Sequence, residues 1–460
     1  MKRTGWLALV LASMLAFAAC GSSGSKGGSG LGGPTSSSKA KDVCSGKTLT
    51  ASEIGVTPTN ITVTVMADVG SPLSPGLFQG SMDGVNAWAK YVNANGGLAC
   101  RQVVVKTVDS KLIPDETKNG IISGCGSSLV MLGTTSLFLN NMAPMEGCKD
   151  KAGAATGIPD LPVLQTEPVE QCSKISFAVI PQGASCPYSG KGVRTYHAVT
   201  PAIEWFKKNV TTDLHGIFVV PNDLPSTITS STPVFTAIQQ GGVKQDAQFG
   251  MSGLATQSQY TPLAQSVKSH NSTWVMNGLD FAGTVKMRKE MAAQGVSSVK
   301  VWACSLQCYA PNFITDGGPA VDKQYAWLQF LPFEDKGSND TLDAYLKYDP
   351  KPDSFGLQAF AAGELLHQVV DKIVDTSGPN AITRKAILDG LGTVHDFTAG
   401  GMLVPTDIAG KTPSKCIVIV QVQNNAWTRV DPLKKGTFDC DEPGAITTLS
   451  LDPLAAYKPS

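Results

Sequence analysis

Charge is sparse in this 460-residue chain. Asp, Glu, Lys and Arg make up 16% of it, with 37 basic against 37 acidic side chains and a formal net charge of zero. So even a balance leaves no basic face for nucleic-acid phosphates and no polybasic patch for an anionic membrane surface. Histidine is scarcer still. The five (His197, His215, His270, His367 and His395) are scattered, so no pair stands at metal-ligand spacing. The HExxH helix, the Walker loop and GxSxG are all missing, and Gly80-Ser81-Met82-Asp83-Gly84 carries its serine in the wrong place. A Ser/His/Asp triad assembles in space rather than in sequence, yet no histidine lies near a recognisable nucleophile turn. No catalytic residue, metal or cofactor is therefore assigned. Long apolar runs are absent too, apart from one at the N-terminus.

That run carries the first positive signal. Met1-Lys2-Arg3 supplies two positive charges, residues 6–19 are apolar except for Ser13, and Ala18-Ala19 stands directly before Cys20. About twenty apolar residues are needed to span a bilayer, so a charged start, a short apolar core and a small-residue end read as a secretory signal. The cysteine placed directly after the cut resembles a bacterial lipoprotein signal, in which that thiol is acylated. The alternative is an ordinary signal peptide followed by a chance cysteine. Without Lys2 and Arg3, 35 basic side chains remain against 37 acidic ones.

Residues 21–38 are almost entirely Gly and Ser, which cannot bury enough apolar surface to fold and so form a tether. Gly28-Ser29-Gly30-Leu31-Gly32-Gly33 matches GxGxxG, but the composition gives it neither a preceding strand nor a following helix, so no nucleotide is expected there. The remaining chain of roughly 420 residues exceeds one compact core and calls for two lobes. Ten cysteines remain besides Cys20, an even number that suits an oxidising compartment and up to five disulfides. Local pairing gives Cys125–Cys148, Cys172–Cys186, Cys304–Cys308 and Cys416–Cys440, leaving Cys44 with Cys100. Cys304-Ser-Leu-Gln-Cys308 also reads as a metal or redox pair, but no second Cys or His pair accompanies it.

From Asn60 the chain alternates strands and helices. Ile61–Met66 is β-branched. Ser74-Pro75 opens a helix whose apolar stripe runs through Leu77, Ser81, Val85, Trp88 and Val92 and ends at Asn95-Gly96-Gly97. A strand at 103–108, a helix from Pro114 and a strand at 129–132 follow. A second set comprises strands at 216–220, 273–276 and 299–302, with a helix over Phe281–Ala293. Such alternation makes an α/β protein with two doubly wound parallel-sheet lobes, whose ligands sit beyond the carboxyl ends of strands.

Gly76-Leu77-Phe78-Gln79-Gly80, Asn93-Ala94-Asn95-Gly96-Gly97-Leu98, the strand Val104 to Asp109 and Gly133-Thr134-Thr135-Ser136 stand in an order that resembles type I periplasmic solute-binding proteins. They are most similar to the branch that binds branched-chain amino acids and amides. The resemblance covers roughly Asn60 to Asp439. It implies two lobes joined by a three-stranded hinge, a small-molecule solute and delivery to the subunits of an ABC permease. A ligand-sensing lipoprotein that presents its closed form to a receptor would share the same residues. The expected layout is a signal at 1–19, a lipidated tether at 20–59, lobe 1 from 60–185 plus 305–400, lobe 2 from 186–304 plus 401–445, and a tail at 446–460.

Candidate ligand residues follow from the strand ends. Ser71 lies in the first exit loop. Thr134, Thr135 and Ser136 precede a helix expected around Leu137–Glu146, whose free N–H groups would hold a carboxylate, although the same hydroxyls serve equally as helix caps. Thr166 closes a strand expected at 162–165, and Glu167 beside it either repels a ligand carboxylate or faces solvent. In the second lobe Asn222 and Asp280 stand at strand ends. The resemblance makes Asp280 the partner of a ligand ammonium, and its position equally makes it the N-cap of the Phe281 helix. Phe78, Tyr188, Trp302 and Tyr309 are the aromatic candidates for the pocket wall.

Overall fold

The computed structural model describes residues 44–71, 74–187, 190, 192–441 and 446–459. The signal segment, Cys20, the tether up to residue 43 and Tyr188 lie outside them. Strand β1 (Asn60–Ala67) is flanked by β2 (Gln102–Asp109) and β3 (Val130–Leu132), and β4 (Asp160–Leu161) extends the sheet. The order is β2-β1-β3-β4 with every neighbour parallel. Only a sheet covered on both faces can use a strand as apolar as β1, and nearly all of that strand is buried.

The chain then makes β5 (Arg194–Val199) and enters a second, seven-stranded sheet. It contains β6 (His215–Pro221), β7 (Lys244–Met251), β8 (Trp274–Asn277), β9 (Val301–Cys304), β10 (Gln324–Leu328), β11 (Val418–Gln423) and β12 (Ala426–Asp431). Its order is β12-β11-β10-β9-β8-β6-β7, parallel from β7 to β10 and antiparallel at β11 and β12. β13 (Ile446–Leu451) returns to pair antiparallel with β5. The segment 305–400 is thus shared. β10 belongs to the second sheet, whereas the helix Ser354–Ser377 packs on the helix Gln79–Ala94 of the first. That contact needs glycine, because a Cβ on Gly84 would lie 2.1 Å from the Gly356 carbonyl oxygen.

Three passes of chain link the sheets, and two of them pair. Leu331 N–H donates to the Met402 carbonyl (2.9 Å) and Val404 N–H to the Gln329 carbonyl (3.1 Å). The five disulfides join Cys44–Cys100, Cys125–Cys148, Cys172–Cys186, Cys304–Cys308 and Cys416–Cys440, the local pairing expected from sequence. Buried Arg101 and Arg384 act as ties. Arg101 donates to the carbonyls of Thr57, Ala99 and Pro379, and Arg384 to those of Cys125, Ser128 and Lys149. Among the described residues no helix is long and apolar enough to cross a membrane.

Three sequence expectations differ from the structure. The first helix begins at Gln79, not at Ser74-Pro75. Gly76 takes a φ of +83°, which no helix accommodates, and Ser74 gives its hydroxyl to Asp280 instead of capping. No helix spans 137–146; only Ala143–Glu146 is helical, and the Leu137 N–H donates to the Asp68 carboxylate (2.8 Å). The fourth strand is Asp160–Leu161, not 162–165, although the Val163 N–H still donates to the Thr134 carbonyl (3.0 Å) beyond it.

Candidate ligand cleft

At the first sheet's strand ends the sequence candidates are buried and engaged within the lobe. Thr134 donates to Asp160 (2.6 Å), Thr135 to Ser81 (2.7 Å), and Ser136 shares a hydrogen bond with Thr117 (3.0 Å). Asp160 also accepts from Ser176 (2.7 Å), and burial raises its carboxyl to about 6 against the pull of those two hydroxyls and of Lys411. Asp68 gathers the neighbouring loops by accepting from Ser110, Leu112 and Leu137. Asp109 accepts from the N–H groups of Val69, Gly70 and Lys111. Burial would raise its carboxyl, but those donors hold it below its usual value. Ser71 and Thr166 are buried as well. Glu167 is raised by burial, with Arg194 opposing, and it occupies the N-cap position of the short helix Pro168–Gln171.

In the second lobe, Asn222 is exposed. Asp280 is the N-cap of Phe281–Ala293, accepting from the Gly283 N–H at 2.8 Å, and its other carboxylate oxygen accepts from the Ser74 hydroxyl at 3.0 Å. That second bond runs from one lobe to the other. Of the aromatic candidates, Phe78 packs edge-on against Phe355 (4.9 Å) and Trp302 lies under the Arg288 guanidinium (3.9 Å). The Tyr309 hydroxyl donates to Glu334 (2.6 Å) and accepts from the Phe333 N–H (2.7 Å).

Between the sheets lies a cavity of about 140 Å³. The first lobe contributes Val163 and Leu164, just past β4, with Phe355 and Gln358 from the start of Ser354–Ser377. The second contributes Val234 from the helix Pro225–Gln240, Met276 and Gly278 from the end of β8, and the disulfide-closed loop Ser305-Leu306-Gln307 after β9. Gln182, Trp327 and Gln329 close it where the chain crosses. Both lobes therefore offer strand ends to one space, as parallel sheets lead one to expect.

None of Ser71, Thr134, Thr135, Ser136, Thr166, Asn222 or Asp280 lines this cavity, nor do Phe78, Trp302 and Tyr309. The residues that do are apolar, amide-bearing or, at Ser230, Ser231 and Ser305, hydroxyl-bearing, and no motif marks them. The usable signal was positional, since Gly278, Ser305 and Gln329 each follow the last residue of β8, β9 or β10 directly. Among the described residues no group of three or more His, Cys, Asp and Glu is arranged to hold a metal ion.

Two parallel-sheet lobes, three crossings and a cavity walled by both define a bilobal binding protein of the type I periplasmic fold. The chain belongs to the periplasmic binding protein family, whose model matches residues 60–426. Among solved structures it is similar to a leucine binding protein, LivK, from Thermotoga maritima, with 13% identity over 81% of this chain and 97% of that one and a TM-score of 0.60. It is also similar to a fatty acid ABC transporter substrate-binding protein from Thermomonospora curvata (14% identity, 86% and 94% coverage, TM-score 0.62). A third is an ABC transporter solute binding protein from R. palustris in complex with benzoate (14% identity, 81% and 95% coverage, TM-score 0.58). Among curated proteins no sequence matches this chain.

Proposed function

We propose that this chain is a lipid-anchored extracytoplasmic solute-binding protein that captures a small molecule between its lobes and delivers it to an ABC permease. The observation that carries this reading is the cavity walled from both sheets at the chain crossings. A guest there touches both lobes, so it stabilises the closed arrangement over the open one, and only such differential contact shifts the population. Similar structures described as binding leucine, fatty acid and benzoate support the class of activity while leaving the solute open. The anchor rests on Cys20 and the Gly/Ser tether after it. On this reading Asp280 and Ser74 act as a latch between lobes, and Thr134, Thr135 and Ser136 secure the first-lobe loop beneath the site.

The test is to purify the mature protein from its native membrane, denature it and identify released small molecules by mass spectrometry. The released compound should rebind with a smaller radius of gyration, and Val234→Trp, which fills the cavity, should abolish rebinding. Undiminished rebinding by Val234→Trp would place the site elsewhere. Cys20→Ala should free the protein from the membrane, and retention would refute the anchor.

A further inference from the structure

Residues 446–459 lie beyond 60–426, the stretch that the family model matches, yet they pack on two elements that wall the cavity. We propose that this segment is a strap that positions those walls. Detaching it loosens the second-lobe side of the cavity while both sheets stay folded.

The first ground is a helix that its own sequence supports poorly. Pro225–Gln240 contributes Ser230, Ser231, Val234 and Phe235 to the cavity. Thr227, Ile228, Thr229, Thr232, Val234 and Thr236 are β-branched, which lowers helix propensity. Pro233 stands in the interior and brings no N–H for the Thr229 carbonyl. Ser230, Thr232 and Thr236 turn their hydroxyls back onto the carbonyls of Thr227 (3.1 Å), Ile228 (2.8 Å) and Thr232 (2.9 Å), a pattern that bends helices. Such a helix keeps its line only where its neighbours hold it.

The second ground is what holds it. β13 pairs with β5 over its whole length, from Ile446 opposite Val199 to Leu451 opposite Arg194, and Val199 lines the cavity. A two-stranded sheet is marginal in water by itself. This one gains its support by packing Tyr196, Ala198 and Leu449 with Ala237 of the helix. Side chains across the pair add Thr195–Ser450 (3.2 Å) and His197–Thr448 (3.0 Å). Asp452 then turns the chain by accepting from the N–H groups of Leu454 (3.1 Å) and Ala455 (3.3 Å). The short helix Pro453–Ala456 that follows lies against Pro225–Gln240. Beyond it the Lys458 N–H donates to Gln248 of β7 (2.9 Å). Tyr457 sits so near β7 that a Cβ on Gly250 would lie 2.0 Å from its hydroxyl oxygen.

The segment thus links β5, the helix and β7, and it does so with little core of its own. Only Leu449 and Pro453 are buried within it. The second-lobe core around Phe218, Phe235 and Trp274 contains none of its buried side chains. A strap of this kind is removable, and the walls it holds are the part of the lobe that feels its loss.

The experiment removes residues 446–460 from a Cys20→Ala chain, whose ten other cysteines are disulfide-bonded, and adds Val234→Cys as a free thiol in the wall. Hydrogen exchange is followed by mass spectrometry, and labelling of the new thiol by N-ethylmaleimide is timed. Exchange at 194–199 and 225–240 should quicken roughly tenfold or more, and labelling with it, while β1 and Ser354–Ser377 stay as slow as in the parent. Leu449→Ala in the complete chain should give the same local pattern at smaller size, and it decides the question if the shortened chain does not fold. Leu449→Met, which keeps the bulk, should leave both rates at the parent value. Unchanged exchange at 225–240 overturns the proposal. So does an equal rise in Ser354–Ser377, which makes the segment a contributor to overall stability only, or a Leu449→Met effect as large as that of Leu449→Ala. No solute enters these measurements, so failure here and failure of the binding reading are told apart.

Discussion

Replacing Asp280 by Ala removes two hydrogen bonds at once, and the structure allows each to be weighed. One carboxylate oxygen accepts the Gly283 N–H at 2.8 Å and caps Phe281–Ala293; losing such a cap costs about 1 kcal/mol. The other accepts the Ser74 hydroxyl at 3.0 Å across the lobes, a bond to a charged group worth ~1.5–3 kcal/mol and nearer the low end here because the residue is half-exposed. The combined loss is about 2.5–4 kcal/mol in the closed form. With roughly 2–4 °C of melting temperature per kcal/mol in domains of 150–250 residues, the midpoint should fall by at least 5 °C or so. Ser74→Ala removes only the second bond, and Asp280→Asn retains the cap, so both should fall less. Differential scanning fluorimetry measures the midpoints and small-angle scattering the separation of the lobes. Ser74→Ala should widen the ligand-free particle while leaving the Phe281 helix intact. An Asp280→Ala protein with the parent's midpoint and radius would refute both the cap and the latch.

Three further outcomes are expected. Glu170 is buried with both side-chain oxygens unpaired, and burial, reinforced by the charges of Asp160 and Glu167, pushes its carboxyl well above the usual range. Glu170→Met should therefore stabilise by about 1–3 kcal/mol, read as a raised melting midpoint, and a lowered one would contradict this account. Asp160 titrates near 6 in the fold against 3.8 in its absence, so between these values the folded state holds the proton more tightly and stability falls as pH rises. The loss is on the order of 3 kcal/mol by pH 7, and Asp160→Asn should flatten the midpoint–pH curve between pH 4 and 6. Arg429 makes a two-pronged pair with fully buried Asp335, which also accepts from the Gly436 N–H. Arg429→Met strands that carboxylate and should cost about 3–5 kcal/mol in urea unfolding, whereas a loss below 1 kcal/mol would show that water reaches it.

The sheets were legible because their signal is local. β-branched runs such as Ile61–Met66 and Gly216–Val220 lie inside β1 and β6, and the Phe281–Ala293 helix has the expected ends because Asp280 caps it. Errors arose where a tertiary contact outbid a local one. Ser74-Pro75 has the chemistry of a helix start, but Ser74 is claimed by an aspartate 206 residues away. The Leu137 N–H reads as free to hold a ligand, yet Asp68, 69 residues earlier, accepts it. No reading of a window of neighbouring residues contains those partners.

The candidate site was harder for a related reason. In a chain with so few charges, every Asp at a strand end draws attention as a ligand partner. Yet the strand-end carboxylates hold the scaffold: Asp68 and Asp109 pin loops, Asp160 gathers two hydroxyls, and Asp280 caps a helix and bridges the lobes. Charge used in this way is already neutralised by donors and has little left to offer a guest. What lines the cavity comes from segments nearly 200 residues apart, Val163 to Gln358, brought together only by the three crossings, and its polar side chains are amides and serine hydroxyls, which no spacing rule identifies. The strand-end principle leads to the same space between the sheets, whereas the residues chosen for their charge do not line it.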